Sequence, residues 1–514
     1  MTSILHGIAA RWRWILLPVL AFVALVSWAF ASPVGAGPDD DYHLVSVWCA
    51  GGGSDLCKPG STNSVRMVSA GFESVICYVG DAEQSADCQD GAMPSPDGPW
   101  VETARGNFVG EYPPVYYATM RLFAGDDVES SALVMRLVNA ALFVLLSTAV
   151  AVLLPRRRRV LLWAWLITLV PLGMFLIPSN NPSGWAITGV GTAFLAMVAW
   201  YEAEGWRRLA GAGTFAVAVV MAAGARGDGA VYVVGAAVTA TIVSWRRTRG
   251  WWSLALPFAA AVAGWVAMRS AGQSTIASGF TSTPVGPDGV GIDALSHQGL
   301  ELAAYNLLKL PFLWTGVFGS WALGWFDTTL PPIVPWAAAG AFIAVGFVGL
   351  GLMTWRKAVS LAGVLGVLVV LPVYVLTSGG NQVGENLQPR YLLPLIVLLG
   401  FLLVWETPGG RLHFTRLQTL VIMLALATAN MVALQVNTRR YVTGVDLEGP
   451  NLDRGAQWWW SGVPWGPGLN WVLGTVAYAG VLAVAWRVLR DGGLRARNEQ
   501  PVPAQQSDSN REGE

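Results

Sequence analysis

"RWILLPVLAFVALVSWAFASPVGAGPDDDYH" (residues 13–43) sets an apolar run directly against three consecutive carboxylates and a histidine. About 20 apolar residues in a helix cross the hydrocarbon layer of a bilayer. Residues 13–32 therefore read as a first membrane span, and Asp39, Asp40 and Asp41 as the start of what lies outside it. Arg11 and Arg13 precede the run and Ala31 and Ser32 follow it, as in a secretory leader, but the apolar stretch is longer than a leader's. It reads as a retained anchor.

Runs of the same kind recur along all 514 residues, which are 54% hydrophobic and only 12% charged. The expected fold is an all-α polytopic membrane bundle of about 12 spans. They lie near 13–32, 130–154, 160–178, 183–201, 208–224, 229–245, 251–268, 332–353, 358–377, 390–406, 416–436 and 469–488. A formal net charge of zero gives nucleic acid no footing as a partner.

Basic residues collect in cytoplasmic loops. Arg156 to Arg159, Arg207, Arg208, Arg246, Arg247, Arg356 and Lys357 all fall on one side of this arrangement, which makes both termini cytoplasmic. The other side receives the loops 33–129, 269–330 and 437–468. The chain thus divides into a cytoplasmic N-terminus (1–12), a transmembrane core (13–406), C-terminal spans (407–488) and a disordered cytoplasmic tail (489–514).

All four cysteines sit in the loop 33–129. An even number confined to one exported segment argues for disulfides, with Cys49–Cys57 and Cys77–Cys88 the favoured pairs. Zinc is the rival, but these spacings do not match compact CxxC pairs.

Polar chemistry gathers on that same outer side, in "PDDDYH" (38–43), "GEYPPVYY" (110–117), "PSNNPSGW" (178–185), "ARGDG" (225–229) and "ENLQPRYLLP" (385–394). Such convergence suggests one site built from several loops. If a helix starts at residue 39, Asp39 and His43 share a face, and a crowded carboxylate there could act as a general base. Spacing does not choose between Asp39 and Asp40. The Asp triplet could also hold a divalent metal through oxygen, or serve only as a hydrated stop after the span.

Pro113 and Pro114 stiffen the segment that carries Glu111. Arg390, flanked by Gln388 and Tyr391, suits a two-point grip on phosphate; its plainer role is to reach the headgroups. Arg226 either joins it or pairs with Asp228, and Asn181 lies in a polar turn of ordinary chemistry. In 269–330 a segment carrying His297, Glu301 and Lys309 has helical apolar spacing and is read as lying in the interface. "WWWSGVPWG" (458–466) reads as interfacial scaffold or as a platform for sugar rings.

In order and topology, "PDDDYH", "EYPPVYY", "NPSGW" and "QPRYLLPL" resemble an uncharacterised family of polytopic bacterial membrane proteins with the pattern PDEPAHF, HPPLYY, NPSGW and GRYLLPL. They also resemble the GT-C superfamily of membrane glycosyltransferases. The resemblance spans residues 13–406 and implies a GT-C-like bundle in the bacterial plasma membrane. Its implied donor is a polyprenyl-phosphate-linked sugar and its acceptor a cell-envelope glycan or glycolipid. An acidic residue of the first outer loop would then act as base or position donor or metal.

Asp39 and Asp40 fall on the pattern's Asp-Glu, and His43 on its His. Asp40 replaces Glu, Asp41 replaces Pro, and Glu111 replaces the His before the double proline. On this reading Asp39 or Asp40 is the base, His43 and Glu111 support it, and Arg390, Tyr391, Gln388, Arg226 and Asn181 hold the donor. The resemblance leaves the metal requirement open: a divalent ion could take part, and no cofactor is assigned. A carrier of lipid-linked saccharides and a non-catalytic envelope-assembly scaffold are the alternatives; the carrier predicts inverted repeats and midplane charge.

Overall fold

A computed structural model describes residues 2–270, 299–407, 410–460 and 462–498. Helix α1 (Thr2–Phe30) leads into a small extramembrane unit, and the rest of the chain forms the bundle. The unit contains α2 (Asp40–Cys49), β1 (Cys57–Pro59), β2 (Arg66–Ser69), α3 (Gly71–Ser74), β3 (Trp100–Thr103) and α4 (Val115–Met120). Its three strands pair antiparallel in the order β1-β2-β3, with Cys57 opposite Val68 and Arg66 opposite Thr103. Disulfides join Cys49 to Cys57 and Cys77 to Cys88, the pairs expected. So small a sheet buries little, and the cross-links limit how far its loops can open.

The bundle follows as α5 (Val128–Leu153), α6 (Arg158–Thr168), α7 (Leu172–Leu176), α8 (Ser183–Glu202), α9 (Trp206–Ala225), α10 (Gly227–Ser244) and α11 (Ala255–Ser270). It continues with α12 (Leu300–Thr315), α13 (Ile333–Leu350), α14 (Trp355–Ser378), α15 (Pro389–Leu403), α16 (Arg416–Val442) and α17 (Pro467–Asn498). Among the described residues nine helices are long and apolar enough to cross a membrane, and Trp251–Ala267 and Pro389–Leu403 are shorter apolar helices. The chain is a multi-pass membrane protein whose bundle is all-α.

Two expectations change. The run 160–178 is not one helix: it breaks between α6 and α7, where Pro171 has no N–H to continue the ladder. The tail expected from 489 begins as helix, because α17 continues to Asn498; residues 499–514 lie outside the described residues. His297 lies outside them too.

α8 is the axis of the bundle, buried at every residue from Ser183 to Ala199. Its small residues allow that closeness: a methyl on Gly189 would meet the Ala218 carbonyl at 2.7 Å. α12 is two-sided, with Leu300, Leu308 and Phe312 exposed and Leu302, Leu310 and Leu313 buried. Asn306 docks it, donating to the Asn381 carbonyl at 3.0 Å and accepting from the Val383 N–H at 2.9 Å.

Candidate functional site

The turn after α1 is held from beneath. Arg136 of α5 is buried and donates to the carbonyls of Ala29 (3.1 Å), Ser32 (2.5 Å) and Pro33 (2.6 Å). These include carbonyls that the end of a helix leaves without an intrahelical partner. Asn437 of α16 donates to Ala31 O at 2.9 Å, and Asn181 donates to Pro38 O at 2.7 Å. The turn is therefore fixed before any of the three carboxylates is placed.

Those carboxylates part company. Asp40 is wholly buried; its Oδ2 accepts from the Gly37 N–H at 2.9 Å, and its Oδ1 has no partner. A methyl on Gly37 would meet this carboxylate at 2.6 Å, so a larger residue there requires the carboxylate to move. Asp39 adopts φ +61°, the left-handed conformation uncommon outside glycine, and its side chain stays 31% exposed. The three oxygen pairs do not converge, and among the described residues no group of three or more His, Cys, Asp or Glu could hold a metal.

Asp39 meets two arginines from distant parts of the chain. Arg390, in the first turn of α15, is buried, donates through Nη2 to Asp39 Oδ2 and through Nη1 to Pro38 O at 3.1 Å. Arg105, on the loop after β3, bonds Asp39 Oδ1 at 3.2 Å and forks onto Asp41 at 2.6 and 3.1 Å. Burial alone would push the Asp39 carboxyl up, but Arg390, helped by Arg105, holds it well below the usual carboxylate range. For Asp40 burial wins over Arg136 and the Gly37 N–H, and its pKa is raised to about 6.

A second guanidinium lies beside the first. Tyr391 Oη accepts from Arg390 at 2.9 Å, and its ring centroid is 4.9 Å from the Arg390 guanidinium and 4.6 Å from that of Arg226. Arg226 is buried and paired two-point with Asp228 at 2.8 and 2.9 Å, the structural pairing weighed above. Its guanidinium is also 5.7 Å from the Tyr112 ring centroid.

His43 is enclosed by tyrosines, with Tyr42 and Tyr112 ring centroids each 5.5 Å away and a 2.9 Å hydrogen bond between Nδ1 and Tyr117 Oη. Burial lowers its pKa to about 3, which keeps it neutral. Glu111 is exposed and accepts from Tyr42 Oη at 2.8 Å. It thus touches the aromatic wall rather than the Asp39–Arg390 pair.

Below Arg390 opens a mostly apolar recess, walled by Leu172, Phe175 and Leu176 of α7 and by Trp321, Leu323 and Phe326. Gln388 also lines it, and both Gln388 Oε1 and Arg390 Nε are buried without a protein partner. Asn181 does not reach it: Asn181 Oδ1 accepts from the Ser183 N–H at 2.9 Å and helps start α8.

The outer clusters read from the sequence therefore come together, with Asp39, Arg390, Tyr391, Arg226 and His43 at the centre, and Asp40 and Asn181 in supporting positions. Sequence reasoning missed Arg105 and Arg136. Arg105 sits in an ordinary polar loop with nothing in its spacing to mark it. An arginine inside an apolar span, as Arg136 is, was the available signal.

The chain belongs to the family described as Predicted membrane protein (DUF2142), whose model matches residues 22–399 and so takes in Asp39, Arg105, Arg226 and Arg390. Neither a curated protein nor a solved structure matches it.

Proposed function

We propose that this chain is an integral-membrane glycosyltransferase. It would transfer a sugar from a polyprenyl-phosphate donor to a cell-envelope glycan or lipid acceptor on the extracytoplasmic face. The reading rests on one observation above all: a partly exposed carboxylate, Asp39, paired with a buried guanidinium, Arg390, at the lip of an apolar recess. That is the set of groups a lipid-phosphate donor and a hydroxyl acceptor require. The two disulfides and the basic residues of the opposite loops support the extracytoplasmic placement, and no nucleotide sugar is supplied there.

In this mechanism the acceptor O–H gives its proton to Asp39 as its oxygen bonds to the anomeric carbon. The bond from that carbon to the phosphate oxygen breaks, and polyprenyl phosphate leaves with its charge met by Arg390 and, beside it, Arg226. While Asp39 holds both Arg390 and Arg105 it is a weak base. A phosphate that takes over the Arg390 donors removes that restraint, so donor binding itself prepares the base. Asp40, sealed against Gly37, acts as the support that turns Asp39 outward.

The test is transfer from polyprenyl-phosphate sugars by purified protein, wild type against Asp39→Asn. Loss of glycan extension with intact folding supports the assignment. Equal extension by Asp39→Asn removes Asp39 as base, and no extension by wild type with any such donor removes the transferase reading.

A further inference from the structure

A larger cavity lies toward the opposite end of the bundle, away from Asp39. Helices α1, α5, α6 and α17 diverge around a recess of about 120 Å³ that is open on one side. The wall is apolar, with Trp14, Leu25, Phe143, Leu162 and Leu169 prominent. Three lining residues carry buried polar atoms without a protein partner: Ser147 Oγ, Trp165 Nε1 and Tyr478 Oη. All three can donate, and leaving such groups unmet in a low dielectric is costly. A pure hydrocarbon would leave them so, whereas an ester carbonyl would not.

The mouth is cationic. Arg158 donates to the Ala151 carbonyl at 2.7 Å, and its guanidinium lies 4.1 Å from the Trp14 ring centroid; Ala151 and Trp14 both line the cavity. Its neighbours in the same basic run have carboxylates, Arg157 with Glu202 and Arg159 with Glu406. Arg158 has no carboxylate among the described residues, and Arg207 acts on it electrostatically as a second positive charge.

We propose that this cavity binds one anionic glycerophospholipid, its phosphate over Arg158 and Arg207 and one acyl chain between α1, α5 and α6. The chain would end against Leu169 and Met174, on either side of the break between α6 and α7. It would thereby support α7 from behind, on a different side from the residues that wall the recess under Arg390.

The experiment weighs bound lipid by native mass spectrometry on protein purified in mild detergent. It then melts delipidated protein with added phosphatidylglycerol or phosphatidylcholine. Wild type should retain one phospholipid and melt higher with phosphatidylglycerol than with phosphatidylcholine. Ala24→Leu, which fills the cavity, should lose the bound mass, and Arg158→Gln should lose the preference between the two lipids. Undiminished lipid on a folded Ala24→Leu variant overturns the site, and equal stabilisation of wild type by both lipids overturns the anionic headgroup. Should Ala24→Leu not fold, wild type is irradiated with a phospholipid carrying a diazirine at its chain end. Adducts at Leu169 or Met174 support the proposal, and adducts confined to outward residues such as Val19 and Val152 refute it.

Discussion

At Asp39 and Asp40 one backbone dihedral separates two fates. The left-handed φ of Asp39 leaves its carboxylate with Arg390 and Arg105, while the next residue is sealed against Gly37. Adjacent identical residues look alike in a sequence, which is why spacing left the choice between them open. Their titration should separate them. Burial makes folded Asp40 hold its proton more tightly than the unfolded chain does, with the pKa raised from 3.8 to about 6. Its stabilising contribution is thus present below the lower value and is lost as pH rises through the upper one. Asp40→Asn keeps an acceptor for Gly37 and does not titrate. Relative to wild type it should gain up to about 3 kcal/mol across that window, read from thermal melts at several pH values. A gap between the two proteins that stays constant with pH would sink this account. Arg390→Lys tests the other partner: a point charge replaces a fork, and transfer should fall roughly 100-fold while the fold persists. Activity within a few-fold of wild type would place the phosphate elsewhere.

Among the elements, long apolar runs such as 130–154 and 416–436 were legible because crossing a bilayer demands a length that little else does. The break between α6 and α7 was not, since hydropathy is blind to a missing N–H and Pro18 and Pro372 lie inside helices without dividing them. α12 was readable in outline from its two-sided spacing, although its docking through Asn306 depends on residues far along the chain. The C-terminal end of α1 owes its shape to α5, where Arg136 meets three carbonyls at once. Arg136→Met strands those carbonyls and should cost about 3–5 kcal/mol in unfolding measurements. It also removes the positive field that opposes Asp40 burial. The double variant Arg136→Met, Asp40→Asn should therefore be more stable than the sum of the single effects. Strict additivity would mean that the two side chains do not act on one turn.

For the whole molecule, the convergence of the outer loops was legible from alternation alone: polar clusters separated by even numbers of spans must share a face. Their pairings were not, because Asp39 and Arg390 stand 351 residues apart and meet only through the packing of α7, α8 and α15 around the turn. The same alternation makes a claim about the membrane. Asn63 lies exposed on the disulfide-bonded unit, and Arg247 lies exposed in the loop after α10, at the other end of the bundle. The proposed orientation follows the tendency of basic residues to lie in the cytoplasm and of disulfides to form outside it, which assigns the second loop inside and the first outside. The natural cysteines are all disulfide-bonded, so an added thiol reports against a quiet background. In intact cells a membrane-impermeant maleimide should label Asn63→Cys and spare Arg247→Cys, and permeabilisation should expose the second. The opposite pattern would put Asp39 and Arg390 on the cytoplasmic face, where nucleotide sugars are available. The case for a lipid-phosphate donor would then lose its premise even with every contact around Asp39 unchanged.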